Sequence, residues 1–251
     1  VFEGTKIWNW DDYVRLFEKG RGTSAIGEAS SDTLYYHEHT IPEILKRLSQ
    51  PKIIIMVRNP VDRAFSSYQF LVRDGMESLS FEESLCHENT RTKENWSHMW
   101  RYRAVSHYAT AVQAFMENFD NVYIGLFDDL RANPLKFTQN IFKFLEVDPD
   151  FVPNVNLAFN RSGRPALRCI QKMIVRPAKW QPIVRAMGCS IFGEHGWVRF
   201  RDSMKSRFVS PRAKLGRDTR ARLMGDFEDD IQCLQDLMGR DLSHWLRVPA
   251  E

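Results

Sequence analysis

The chain has 251 residues, 43% hydrophobic and 12% aromatic, enough to bury a sizeable core, which excludes a disordered or fibrous protein and suits one domain over residues 1–251. Its longest aliphatic run, residues 53–57, falls far short of the roughly 20 residues that span a bilayer, so no membrane contact is expected from this segment. The formal net charge of +3 is uneven: residues 161–222 hold 16 Lys and Arg against Glu194, Asp202 and Asp218, leaving about −10 elsewhere, a pattern of an anionic ligand or of a solvated cationic surface.

Three short apolar runs read as strands, at residues 24–26, 52–57 and 121–127. The second is apolar on both faces, as a strand inside a parallel sheet requires. Asn59 then serves as a helix N-cap and Pro60 as the first helical residue, with Ala64, Phe65, Tyr68, Leu71 and Val72 as the buried stripe. A helix carrying Val105, Tyr108, Ala109, Val112, Phe115, Met116 and Phe119 precedes the third strand. Asn133 and Pro134 repeat the start signal, followed by Phe137, Ile141, Phe144 and Leu145. Residues 154–222 form a basic, proline-punctuated stretch of helix and loop. The last helix presents Leu223, Phe227, Ile231, Leu234 and Met238, with Gly239 at its C-cap. Strands alternating with helices predict an α/β fold with a mainly parallel sheet flanked by helices.

In such folds anions gather at the carboxyl ends of the strands, where helix N-termini present backbone N–H groups. Arg58 sits at one such end and Ser66 follows eight residues on, a fork and a hydroxyl that suit a phosphate monoester. Spacing alone leaves a second reading open, in which Arg58 pairs with an acid and Ser66 merely packs. Cys86, Cys169, Cys189 and Cys233 show no CxxC pair and no metal spacing, so no metal is expected. They read as buried thiols of a reducing compartment, with one or two bridges in an oxidising compartment as the alternative.

The segment KIIIMVRNPVDRAFSSYQF, residues 52–70, resembles the 3'-phosphate-binding motif of sulfotransferases that use 3'-phosphoadenosine-5'-phosphosulfate (PAPS), in the heparan-sulfate-like branch and its bacterial relatives. The resemblance continues through IGEASSDTLYY (26–36), Tyr108, NVYIGLFDDLRANP (121–134), FKFLEVDPDF (142–151), NRSGRP (160–165) and GRDLSHWL (239–246). It implies a three-layer, P-loop-like fold and in-line transfer of a sulfuryl group from PAPS to a hydroxyl or amine, leaving 3',5'-adenosine diphosphate. It further implies that Arg58 and Ser66 bind the donor's 3'-phosphate, that Arg161, Ser162, Gly163 and Arg164 form the loop closing over that phosphate and the adenosine, and that no metal takes part. The implied acceptor is a glycan or polysaccharide, with a lipid or small molecule behind it.

Nothing before Ile26 resembles the family's first strand and lysine-bearing 5'-phosphosulfate loop, and Ala29 stands where heparan-type enzymes often carry lysine. The chain also opens on Val1 rather than Met. A truncated chain, inactive and poorly stable alone, is therefore expected, with the catalytic base upstream of Val1; Glu28, His37 and His39 are the weaker candidates within it, and Glu3 a poor substitute. His98, Trp96, Trp100 and Arg101 form an aromatic and basic cluster that suits a sugar ring or the packing of an irregular loop. A nucleotide-kinase-like enzyme lacks support in the absence of GxxxxGK[ST]. A non-catalytic 3'-phosphonucleotide-binding protein is the other alternative, and nucleic acid is not an expected partner. The expected compartment is the bacterial cytoplasm, or the Golgi lumen if the parent carries an anchor.

Overall fold

A computed structural model describes residues 9–155 and 214–247, with the backbone of two short strands at 164–165 and 209–210. In chain order the elements are α1 (Trp10–Arg15), α2 (His37–Arg47), β1 (Ile53–Val57), α3 (Pro60–Arg73), α4 (Phe81–Cys86), α5 (Glu88–Lys93) and α6 (Ala109–Asn118). There follow β2 (Val122–Leu126), α7 (Phe127–Ala132), α8 (Pro134–Leu145), β3 (Arg164–Pro165), β4 (Val209–Ser210) and α9 (Arg217–Met238). Short 3-10 turns lie at His98–Trp100, Ala104–Ser106 and Ser243–Leu246.

β1 and β2 run parallel, in register from Ile53 opposite Val122 to Val57 opposite Leu126, and β3 pairs antiparallel with β4. Because successive strand residues point to opposite faces, Ile55, Val57 and Leu126 share one side of the parallel pair. That side is buried in a core with Val61, Ala64 and Leu71 of α3, Val112 and Phe115 of α6, and Phe227, Ile231 and Leu234 of α9. On the other side Tyr123 meets the rings of Phe137 and Phe144, which brings α8 over β2. Helices thus cover the pair from both faces, an α/β arrangement. Gly125 is on the α8 side, where a Cβ would lie 2.6 Å from Phe137 Cζ and 2.9 Å from Met56 Sδ; only glycine lets the helix sit so close.

Local chemistry fixes the helix ends. The Asn59 side chain accepts from the Val61 and Asp62 N–H groups, and Asn133 accepts from Lys136 N–H. Ser80 and Glu83 form a capping box on α4. α6 has no cap of its own; the Asp230 carboxylate, reaching across from α9, accepts from the Tyr108 and Ala109 N–H groups at 2.9 and 3.1 Å. α9 ends at Gly239 with φ 60°, the left-handed turn that favours glycine. Between α3 and α5, buried Glu77 takes two hydrogen bonds from Arg91, one from the Tyr102 hydroxyl and two from the Ser78 and Leu79 N–H groups. Burial by itself would raise the Glu77 carboxyl, but these hydrogen bonds outweigh it and hold the pKa below its ordinary value.

Several expectations change. Residues 24–26 form no strand: the Thr23 hydroxyl bonds to the carbonyls of Gly20 and Ala25, tying the segment into a turn, and Ile26 is half exposed. The cover on the α8 side is incomplete over β1, where Ile54 and Met56 remain 37% and 41% exposed. Residue 127 opens α7 rather than closing β2, with Asp128 and Asp129 favouring a helix first turn. The third helix starts at Ala109, leaving Val105 in a separate turn, and Met116 faces solvent. Cys86 and Cys233 are free but exposed rather than buried, Cys86 at the solvent end of α4 and Cys233 between the inward-facing Ile231 and Leu234. Cys169 and Cys189 lie outside the described residues.

Candidate functional site

Arg58 leaves the carboxyl end of β1 and Asn59 turns the chain into α3. Its guanidinium stacks over the Phe127 ring, 4.9 Å from the centroid, and reaches to 4.0 Å from Asp62. Phe127 begins α7 directly after β2, so the ends of both strands meet under this one arginine. The Tyr108 phenol, buried at the Arg58 backbone with which it hydrogen-bonds, has its pKa pushed up to about 12, chiefly by burial.

Ser66 lies in the second turn of α3, half-buried, and among the described residues its hydroxyl has no hydrogen-bond partner. The α3 N-terminus is less available than the sequence suggests, because Asn59 already occupies the Val61 and Asp62 N–H groups and its carbonyl takes that of Arg63. An anion there would therefore rely on side chains. Of the other expected donor residues, Arg161, Ser162 and Gly163 lie outside the described residues; the backbone of Arg164 forms β3, which runs close to α3.

The carboxyl ends of the strands are clasped by the chain's last segment. Asn59 Nδ2 donates to the Trp245 carbonyl at 3.1 Å, Trp245 Nε1 donates to Asp128 at 2.7 Å, and Arg240 forks onto Asp129. Those bonds from Arg240 hold the Asp129 carboxyl below its ordinary pKa. The conjunction of GRDLSHWL with the strand ends has no local sequence signal, and neither does Arg220 of α9, whose Nη2 lies 2.6 Å from Asp62. Asp62 itself was legible, standing four residues after Arg58.

A second group of polar residues gathers beside α3, where residues 32–37 meet residues 96–101. Arg101 donates to the Tyr35 hydroxyl and to the Trp96 carbonyl, His98 stands edge-on to Tyr36 at 5.9 Å, and the Ser67 hydroxyl of α3 contacts the Met99 carbonyl. Burial holds the His98 imidazole below its ordinary pKa; Asp32 opposes this, and Arg63 and Arg101 add to it. Among the described residues, His37 Nδ1, Trp100 Nε1 and Arg101 Nε are buried without a hydrogen-bond partner. Such groups are rare in folded proteins and call for a partner such as water, an ion or a ligand. His37 is the first residue of α2, while His39 and Glu28 are exposed. A cavity of about 170 Å³ between α4 and α9, lined by Cys86, Arg103, Arg222 and Asp226 among others, includes none of the expected site residues.

Among the described residues no group of three or more His, Cys, Asp or Glu is placed to hold a metal ion, and no helix is long and apolar enough to cross a membrane. No curated protein matches the chain. The family model described as "Sulfotransferase family" matches residues 10–151. A solved structure, a sulfotransferase from Alicyclobacillus acidocaldarius, is 31% identical, with a TM-score of 0.72 over 96% of this chain and 76% of that one. The chain belongs to the sulfotransferase family. With the family shown, the nucleotide-kinase alternative falls away. The family match ends at residue 151, so α9 and the clasp at 239–246 are tied to the site by geometry rather than by that model.

Proposed function

We propose that this sulfotransferase transfers the sulfuryl group of PAPS to a hydroxyl or amine of a glycan or polysaccharide, and that Arg58 and Ser66 hold the donor's 3'-phosphate. The observation that carries the reading is Arg58 at the carboxyl end of β1, stacked on Phe127 across the end of β2, with the Ser66 hydroxyl, unpartnered among the described residues, two turns into the same helix. The fit is chemical: a permanent, partly desolvated guanidinium and a hydroxyl complement a phosphate monoester, and the capped α3 N-terminus leaves the task to them. Arg161, Ser162, Gly163 and Arg164 would complete the enclosure of the nucleotide.

When bound, PAPS supplies the activated sulfuryl group, and the protein's part is to align donor and acceptor for in-line displacement. Anchoring the 3'-phosphate fixes the nucleotide's position relative to α3. The cluster of His98, Trp100 and Arg101 beside that helix supports an acceptor subsite, since the exposed Trp96 ring, edge-on to the buried Trp100, suits a pyranose face. His98, whose imidazole burial holds below its ordinary pKa and so in the unprotonated form, joins His37, His39 and Glu28 as a candidate for the base. The exposed, free thiols of Cys86 and Cys233 suit a reducing compartment such as the bacterial cytoplasm.

Calorimetric titration with 3',5'-adenosine diphosphate and with 5'-AMP tests the donor site. The expected result is a preference for the 3'-phosphorylated ligand that Arg58→Ala abolishes, a loss of roughly tenfold to a hundredfold for removing a charged hydrogen-bonding partner. Equal affinity of the folded protein for the two ligands would overturn the assignment.

A further inference from the structure

The Asp62 carboxylate stands between two arginines, and the two contacts are unequal. Its Oδ1 lies 2.6 Å from Arg220 Nη2, a full charge-assisted hydrogen bond, whereas its Oδ2 is 4.0 Å from Arg58 Nη2, the outer limit of an ion pair. All three groups are shielded, with side-chain exposures of 17% for Arg220, 36% for Asp62 and 23% for Arg58, so their interactions are only partly screened by water. Arg220 stands in the first turns of α9, a helix seated in the core by its buried Leu223, Met224 and Phe227, and its neighbour Thr219 donates a hydroxyl hydrogen bond to Glu82 of α4.

This geometry raises a problem for an anion site at Arg58. A carboxylate four residues along the same helix start is a ready-made internal competitor: it would neutralise Arg58 and repel an arriving phosphate. Asp62 also belongs to the first turn of α3, where a negative charge favours the helix, so local structure retains it. The partner that removes the conflict comes from 158 residues away.

We propose that Arg220 is a positioning residue for the donor site: by holding Asp62 in a close ion pair, it keeps that carboxylate from closing on Arg58 in competition with the 3'-phosphate, without touching the nucleotide itself. The proposal rests on the reading of Arg58 as the 3'-phosphate residue. It assigns α9, beyond the region matched by the family model, a part in donor recognition.

The test is a double-mutant cycle read by calorimetric binding of 3',5'-adenosine diphosphate and 5'-AMP to wild type, Arg220→Ala, Asp62→Asn and the double variant. Arg220→Ala should weaken the diphosphate by about tenfold and leave 5'-AMP, which lacks the 3'-phosphate, within about twofold, so that selectivity falls. Asp62→Asn combined with Arg220→Ala should return the diphosphate affinity to within about threefold of wild type, because competitor and restraint are then both gone. Arg220→Lys should retain most of the selectivity, and Arg220→Gln serves if the alanine variant unfolds. Three results overturn the proposal: unchanged selectivity in folded Arg220→Ala or Arg220→Gln, an equal loss for both ligands, or a loss that Asp62→Asn does not restore, which would make Arg220 a direct phosphate contact. If wild type does not prefer the diphosphate, the reading of Arg58 falls first and the proposal with it.

Discussion

Gly125→Ala probes the close packing of α8 against β2. The added methyl would lie 2.6 Å from Phe137 Cζ, 3.0 Å from Phe137 Cε2 and 2.9 Å from Met56 Sδ. The Met56 thioether is 41% exposed and free to swing aside, so it contributes little to the cost. Phe137 is 5% exposed on a helix pinned at its start by the Asn133 cap, and its ring must retreat by most of an ångström to reach ordinary contact. Overpacking of this kind costs ~1–3 kcal/mol. Replacing glycine within a strand returns roughly 0.5–1 kcal/mol of backbone entropy. A net destabilisation of about 1–2 kcal/mol is expected, a fall in Tm of roughly 2–8 °C for a chain this long. Urea unfolding followed by far-UV circular dichroism measures it. Adding Phe137→Leu should restore part of the loss, giving a non-additive pair, whereas Met56→Ala should restore little. A Gly125→Ala protein as stable as wild type, or strict additivity with Phe137→Leu, would refute the reasoning.

Glu77→Gln leaves Arg91 buried without its counter-charge and should cost about 3–5 kcal/mol in urea unfolding. Because the folded-state pKa of Glu77 lies below its ordinary 4.5, the stabilisation it gives is present above that value and lost as pH falls through the folded pKa. Acid unfolding of wild type should therefore steepen below about pH 4.5, and Glu77→Gln should lack that component. Asp230→Ala removes the shared acceptor of the Tyr108 and Ala109 N–H groups; the expected cost is about 1–2 kcal/mol, with faster amide exchange at those two residues, and Asp230→Asn should retain part of the protection.

What could be read from the sequence was what neighbouring residues encode. Asn59–Pro60 and Asn133–Pro134 announced two helix starts, Gly239 announced a stop, and the apolar run at residues 53–57 announced a strand. Residues 24–26 misled because so short a run carries no information about whether a partner backbone will complete a ladder, and Thr23 supplied a turn instead. Met56 misled in a related way: alternation says which side a residue faces, not whether a helix will reach it. Arg58 and Ser66 were visible as a pair within one strand–helix unit. The residues that tune the site, Phe127, Arg220 and Trp245, come from distant segments, and their roles depend on tertiary placement that no local pattern specifies.

The clasp at the strand ends also bears on the order in which the molecule assembles. Asn59 and Trp245 are 186 residues apart, Asp62 and Arg220 158, and Tyr108 and Asp230 122. Contacts of such separation carry a large loop-closure cost before they return any stabilisation. The β1–α3 unit can therefore form early, while the surroundings of Arg58 mature only when α9 docks, so that nucleotide capacity should emerge in a late refolding phase, after most helical signal has recovered.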